Sequence, residues 1–289
     1  MSKLIVRLDP TSAKTLGCLH KFSLMNLQGL QPVEPKSALE FGQAFHRGVA
    51  AWLRGKSEQE ALEIASTYYI TSGVKLGEKD VRTPGHLINC LVAYFKQYKY
   101  DLFTTAKNKS GQPGIELPFV TPFLAFEHVD FVLCGVVDAL GTQQNSKCFK
   151  DIKTTAAKNP TSYLEGYNTS LQMMFYSWAL KTIGWTDHYV PYIIDGVFIG
   201  KSEPVFQRTE LLEVRSDMVE ELVEWLTEQC YTIATALKQG KFLRNFSFCN
   251  ADFECDFKDV CHAQEAYRKH VLNKKYKQRV YDPATFGTD

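Results

Sequence analysis

No stretch of about 18 consecutive apolar residues occurs in this 289-residue chain, which excludes an apolar membrane-spanning helix. The opening residues, Met1 to Asp9, lack the apolar core of a secretory signal. A cytoplasmic setting is therefore the expectation, one in which thiols stay reduced. Charge of one sign is not in excess: 33 Lys and Arg face 32 Asp and Glu, a formal charge of +1. Any basic groove for a polyanion must then be local and balanced elsewhere. Internal repeats, low-complexity linkers, C-x2-C knuckles and helicase motifs are all missing, so unwinding of a duplex would need a partner. What remains is an ordinary globular composition, 45% hydrophobic and 22% charged, which excludes a disordered or fibrous chain.

The length allows one large or two small domains. The economical reading is a single α/β domain over 1–289, with a central mixed sheet flanked by helices. Residues 1–36 read as an irregular leading segment holding Cys18, and 37–110 as helical. The helix over 37–54 is carried by Ala38, Phe41, Phe45, Val49 and Trp52 at spacings of three and four. Ser37 with Glu40 is a capping-box pattern at its start. Helices are expected at about 57–70 and 84–106. Residues 111–210 form the β-rich core, with Phe131–Val137 and Cys148–Lys153 as strands joined by a polar turn at 142–147. A helix from Pro160 to about Ile183 and two strands within 187–209 follow. A long helix at 213–239 leads into a cysteine loop at 240–261, and 262–289 is a basic tail.

The most informative constellation is Asp138, ending one strand, and Asp151-Ile152-Lys153 on the returning strand. Strand alternation puts residues 151 and 153 on one face, where two carboxylates and a lysine can converge. That donor set suits Mg²⁺ or Mn²⁺, which binds through one or two carboxylates and keeps waters. The lysine would orient or deprotonate a water, its pKa lowered by the cation and by burial. On the triplet alone, the favoured reading of the same three residues is as turn, edge-strand and solvated surface residues. Gly42 and His46 share one helix face at i,i+4, as do Gln172 and Tyr176, and the glycine lets another element approach.

In order, the chain reads Gly42-Gln-Ala-Phe-His46, Gly135-Val-Val-Asp138, Asp151-Ile-Lys153 and Gln172-Met-Met-Phe-Tyr176. This resembles the RecB-like branch of the PD-(D/E)xK nuclease superfamily, whose members carry G-x-x-x-H, G-x-x-D, (D/E)-x-K and Q-x-x-x-Y in that order. The resemblance runs from about residue 11 to 261. It implies a restriction-endonuclease-like core and a metal-dependent DNA exonuclease activity. His46, Asp138 and Asp151 would be metal ligands together with the Ile152 carbonyl. Lys153 would be catalytic, and Gln172 and Tyr176 would position the site and the DNA backbone. Glu116, on an upstream strand, is a further candidate near the site.

Cys249, Cys255 and Cys261 follow one another at equal spacing among acidic and polar residues. Three thiolates leave one position open on a four-ligand centre. The segment from Thr11 through Cys18 to Phe22 resembles the start of iron–sulfur RecB-like nucleases, including AddB-type nuclease domains and CRISPR-adaptation exonucleases. In those, one cysteine precedes the core and three follow it. The resemblance implies a 4Fe–4S cluster on Cys18, Cys249, Cys255 and Cys261, stapling a helical periphery; a zinc staple is the alternative. Many members place two of the later cysteines as C-x2-C, from which this chain departs. Cys90, Cys134, Cys148 and Cys230 read as packing residues. The tail interleaves Arg268, Lys269, Lys274, Lys275, Lys277 and Arg279 with Tyr267, Tyr276 and Tyr281, which suits either single-strand binding or a solvated helix.

Two further readings stand beside the nuclease: a non-catalytic DNA-end-binding or scaffold protein that keeps the fold, and a zinc-stabilised interaction domain. DNA is the expected partner. A helicase, an annealing protein or an adaptation complex is the kind of protein partner implied, in recombination, repair, phage DNA processing or CRISPR adaptation.

Overall fold

A computed structural model of the protein describes residues 3–107, 111–201, 203–249 and 255–279. In chain order these form β1 (Leu4–Leu8), α1 (Pro10–Thr15), α2 (Leu19–Phe22), a π-helical turn at Ser23–Leu27, β2 (Leu30–Pro32), α3 (Ser37–Leu53), α4 (Glu58–Thr71) and α5 (Pro84–Gln97). Then come β3 (Thr104–Thr105), β4 (Ile115–Ala125), β5 (Val129–Gln143), β6 (Ser146–Thr155), α6 (Pro160–Glu165), α7 (Leu171–Thr182), β7 (Tyr192–Phe198) and β8 (Val205–Arg208). The chain closes with α8 (Ser216–Gln239), α9 (Lys258–His262), α10 (Glu265–Lys275) and β9 (Tyr276–Gln278). Among the described residues no helix is long and apolar enough to cross a membrane. Two compact units are distinguished: Pro35–Leu117 with Val136–Arg215, and the residues up to Glu34 with Pro118–Gly135 and those from Ser216 on.

In the first of these units the hairpin of β5 and β6 is set by its turn. Gln144 and Asn145 both take positive φ, 51° and 67°, the two-residue geometry whose twist matches the flanking strands. The antiparallel register runs from Gln143 opposite Ser146 to Ala139 opposite Lys150. β6 then pairs in parallel with β7, and β7 antiparallel with β8, giving a mixed sheet. The apolar stripe of α3 packs Phe41, Phe45 and Val49 with α4, α5 and Ile152 of β6. On the other face of β6, Phe149 meets Tyr176 of α7 edge-on, with ring centroids 6.1 Å apart. β6 thus lies between helices on both faces, and its even and odd residues address different neighbours.

The even face carries a charge network absent from the sequence reading. Lys150, 1% exposed, lies 3.2 Å from Asp101 and 3.7 Å from the fully buried Asp195. Arg208 bridges the same two carboxylates, with 2.5 Å contacts to each, and Tyr94 donates to Asp195 at 2.9 Å. Asp195→Ala leaves Lys150 and Arg208 to share Asp101 as their one carboxylate in this network, and the excess buried charge costs up to about 3–5 kcal/mol. Equilibrium urea unfolding of that variant should show a loss of this size; a midpoint equal to the parent's would mean the network adds nothing. Burial alone would raise Asp101, but Arg208 and Lys150 outweigh it and hold the carboxyl at about 2. Its stabilisation is therefore fully present above the unfolded carboxylate value of about 3.9 and lost as pH falls toward 2.

In the other unit β1 pairs in parallel with β5, Leu4 opposite Val129 through Leu8 opposite Leu133. β2 and β9 form a two-stranded antiparallel ribbon. Tyr276 stacks on Phe257 with centroids 5.0 Å apart and donates to the Asp256 carbonyl at 2.6 Å.

Several elements differ from expectation. Residues 3–36 are not irregular; β1 is too short to reveal its partner β5 in its own pattern. Ser37 is the first helical residue and Lys36 the N-cap, because the Ser37 hydroxyl is used instead on Asp80, at 2.5 Å. α5 ends at Gln97, well short of residue 106. The helix from Pro160 is interrupted by a 3-10 turn at Gly166–Thr169 before α7 begins. Asp138 lies inside β5, which continues to Gln143. The tail is only partly a surface helix: Tyr276 is 7% exposed and Lys275 pairs with Asp259 at 2.5 Å, whereas Tyr267 is exposed. Tyr281 lies outside the described residues.

Candidate active site

The β5–β6 ladder stops at Ala139 and Lys150, and beyond it the Asp138 carboxylate takes over a backbone role. The Ile152 N–H donates to Asp138 Oδ2 at 2.8 Å, fixing that side chain against β6. α3 reaches the same carboxylate: His46 Nδ1 is 3.3 Å from Asp138 Oδ2. α3 comes close to β6 at Gly42, where a Cβ would stand 3.2 Å from the Thr154 hydroxyl, a tight contact that a shift of a few tenths of an ångström in that side chain would relieve.

Glu116 completes this corner. Its Oε1 lies 3.9 Å from His46 Nδ1, and His46, Glu116 and Asp138 offer three ligand atoms within 4.8 Å of one another. Glu116 is a non-glycine residue at φ 48°, a left-handed conformation that costs about 1–3 kcal/mol where surroundings impose it. It bears no local motif, which is why spacing alone pointed to it only weakly.

Asp151 and Lys153 share the odd face of β6, as alternation predicts, with Lys153 Nζ 2.6 Å from Asp151 Oδ2. From α7, Gln172 Nε2 donates to Asp151 Oδ1 at 3.3 Å, and Lys153 Nζ donates to Gln172 Oε1 at 3.1 Å. Gln172 Nε2 also donates to the Tyr176 hydroxyl at 3.1 Å. The i,i+4 pair is therefore a clamp on the carboxylate and the lysine, with Gln172 in direct contact and Tyr176 acting through it. Asp151 is 1% exposed. Among the described residues no donor is aligned on its Oδ2 in hydrogen-bonding geometry, although the Lys153 ammonium lies close to it. A buried carboxylate oxygen with spare lone pairs is a donor that a hard divalent ion fits, but among the described residues the group at single-ion spacing is His46, Glu116 and Asp138, and Asp151 stands outside it.

The charges are strongly coupled. Burial would lower His46, yet Asp138 and then Glu116 outweigh it and raise the imidazole to about 9. Burial and the Asp138 charge push Glu116 up to about 7. Burial raises Asp151 to about 6, with Lys153 opposing. Burial also raises Asp138, but His46 and Lys153 prevail and hold it below the usual carboxylate range. Lys153 departs from expectation: burial lowers it, but the Asp151 and Asp138 charges win and keep it above its ordinary value.

The cysteines divide as expected by surroundings. Cys90, Cys134, Cys148 and Cys230 are fully buried. Cys18, Cys249, Cys255 and Cys261 line one recess with His20, Lys21, Arg244 and Lys258. The Asn245 N–H donates to Cys18 Sγ at 3.4 Å, and Cys255 N–H to the Cys249 carbonyl at 3.2 Å. These four sulfurs do not form a tight single-ion group: among the described residues, only His46, Glu116 and Asp138 meet the 4.8 Å spacing. Residues 250–254, between Cys249 and Cys255, lie outside the described residues.

Residues 10–262 match the sequence profile of the PD-(D/E)XK nuclease superfamily, and the chain belongs to that superfamily. No curated protein matches it in sequence. Among solved structures it is similar to a protein from Eubacterium rectale provisionally assigned as an exonuclease, at 14% identity and a TM-score of 0.49, over 84% of this chain and 86% of that one. It is also similar to an alkaline exonuclease from Laribacter hongkongensis, at 11% identity and a TM-score of 0.27, over 70% of this chain and 97% of that one. Both scores lie below 0.5, and the family assignment stands on the sequence match alone.

Proposed function

We propose that this protein is a metal-dependent DNA exonuclease of the RecB-like type, with a 4Fe–4S cluster on Cys18, Cys249, Cys255 and Cys261. The observation that carries the nuclease reading is the convergence of His46, Asp138, Asp151, Lys153 and Gln172, from four separate elements, on one corner. Asp138, Asp151, His46 and the Ile152 carbonyl would hold Mg²⁺ or Mn²⁺, with Glu116 as a further ligand. Such an ion supplies Lewis-acid polarisation of the scissile phosphate and a water of lowered pKa. Lys153, held protonated by Asp151 and anchored by Gln172, donates to the attacking water or a phosphoryl oxygen and offsets developing negative charge. It acts as a charged donor rather than as the base. Gln172 keeps both partners aimed, and Tyr176 keeps Gln172 in place. The cluster reading is supported by four thiols from both ends of the chain lining one recess, with an N–H donated to one sulfur. DNA is the proposed substrate, and duplex unwinding would come from a helicase or another partner. Incubation of end-labelled single- and double-stranded DNA with Mg²⁺ or Mn²⁺ tests the reading: terminal shortening supports it, and intact DNA under both ions overturns it.

Metal affinity should climb with pH. To ligate, His46 must lose a proton held to about 9 and Glu116 one held to about 7. A Mn²⁺ titration near pH 7 should therefore release roughly one to two protons per ion, read by calorimetry in buffers of different ionisation enthalpy. Affinity should strengthen from below pH 7 toward 9. An affinity independent of pH, with no proton release, would remove both residues from the ligand set.

A further inference from the structure

We infer that Tyr163 is a further catalytic residue of the nuclease site, its phenol donating a hydrogen bond to a non-bridging oxygen of the scissile phosphate; this rests on the nuclease reading of the same corner. Strand register places it there. β6 and β7 run parallel, with Asp151 opposite Ile194, Lys153 opposite Gly196 and Thr155 opposite Phe198. Residues directly opposite on neighbouring strands share a face of the sheet, so Phe198 belongs to the face that carries Asp151 and Lys153. Gly196, the partner of Lys153, leaves room that the Phe198 ring takes: a Cβ there would fall 2.7 Å from that ring. Tyr163 of α6 packs edge-on against the same ring, at 85° with centroids 5.6 Å apart.

Tyr167, one helical turn on, is fixed from the same face. The Tyr192 hydroxyl donates to the Tyr167 carbonyl at 2.7 Å. Tyr192 lies opposite Phe149 of β6, on the face where Phe149 meets Tyr176. The Tyr163 and Tyr167 hydroxyls stand 2.9 Å apart. Both tyrosines are therefore seated over the Asp151 and Lys153 face by packing on β7.

The proton count leaves one donor over. Two hydroxyls carry two protons, and the bond between them uses one. Burial and then Tyr163 hold the Tyr167 proton well above the ordinary phenol value, which makes Tyr167 the donor and Tyr163 the acceptor. The Tyr163 O–H then has no partner of its own among the described residues. Accepting a bond from Tyr167 polarises that O–H and strengthens it as a donor. Tyr163 is also close enough to Lys153 to act on its charge: burial lowers the ammonium, and Asp151, Asp138 and, in smaller part, Tyr163 oppose it. Negative charge develops on phosphoryl oxygens in the transition state, and a donor already aimed at it lowers the barrier. Lys153 supplies that donor with a charge, and Tyr163 supplies one without.

The test compares the full chain with Tyr163→Phe and Tyr167→Phe in single-turnover cleavage under Mn²⁺, which accepts sulfur better than Mg²⁺. The probes are short DNA strands whose linkages are all ordinary phosphates, all Rp phosphorothioates or all Sp phosphorothioates. On ordinary DNA Tyr163→Phe should be slower by about tenfold or more, the size of one hydrogen bond to a charged group. Sulfur is a weak acceptor, so one configuration should slow the parent chain. The same configuration should slow Tyr163→Phe about threefold less or better, because the bond it weakens is already gone. Tyr167→Phe leaves the Tyr163 O–H in place, and should cost less than Tyr163→Phe and keep the parent's sulfur penalty. Parent-like cleavage by Tyr163→Phe overturns the inference and leaves the nuclease reading standing. Slow cleavage with both sulfur penalties unchanged does the same, since Tyr163 would then act by packing alone. No cleavage of ordinary DNA by the parent chain overturns the nuclease reading, and this inference with it.

Discussion

Asp151→Asn and Lys153→Met should each reduce single-turnover DNA cleavage by about 10³-fold or more, while the chain still folds. The size follows from what is removed. Metal-assisted charge stabilisation is worth several kcal/mol, and each ~1.4 kcal/mol is tenfold in rate. Asp151→Asn keeps the amide-to-oxygen contact with Gln172 but removes the charge that an ion and Lys153 both require. Lys153→Met keeps the apolar stem and deletes the ammonium that stands 2.6 Å from Asp151. It would leave a buried carboxylate without its cation, but Asp151 is already raised to about 6 and can take up a proton. The folding cost is thereby reduced, and circular dichroism should show native helix content for both variants. Near-parental cleavage by either would sink the assignment of these two residues. Gln172→Ala should lie between, because Lys153 and Asp151 still face each other without it.

Serine at Cys18, Cys249, Cys255 or Cys261 should remove bound iron and the brown visible absorbance of anaerobically purified protein, and should lower the melting temperature sharply. Alanine at Cys90, Cys148 or Cys230 should leave the colour unchanged. The first four line one recess, whereas the others are enclosed in apolar packing; burial raises Cys90 and Cys230 to about 12 and Cys148 to about 11, and raises Cys261 as well, so it is the shared recess that sets the first four apart. Cys18 and Cys249 lie more than two hundred residues apart in sequence, and a centre that ties them closes a very long loop. Its binding free energy is then part of the folding free energy. Stoichiometric zinc without iron would refute the cluster and leave a zinc staple.

The four motifs were legible because each is local. Helix period places Gly42 with His46 and Gln172 with Tyr176, and strand alternation places Asp151 with Lys153; neither depends on what lies across the fold. The long strand β5 and its return were legible for the same reason, since apolar alternation and a polar turn are short-range signals. β1 was not: its five residues acquire meaning only by pairing with β5. The C-terminal end of α5 and the interruption between α6 and α7 were misjudged because local pattern does not say where tertiary contacts stop rewarding helix.

The sequence by itself determined the family and the chemical inventory: two carboxylates, a lysine, a histidine, a glutamine–tyrosine pair and four candidate thiols in a recognisable order. Only the tertiary structure decided that Glu116 joins His46 and Asp138, that the Asp151 and Asp138 charges raise Lys153 above its ordinary pKa, and that Arg47 and Arg54 flank a cleft beside them. It also decided that Lys150, next in sequence to the proposed ligand Asp151, faces Asp101 and Asp195 instead. The reason is common to all of these. Identity and period are properties of adjacent residues, but pKa values and cavities arise from charges and surfaces brought together across long sequence separations, and those distances exist only once helices pack against the sheet.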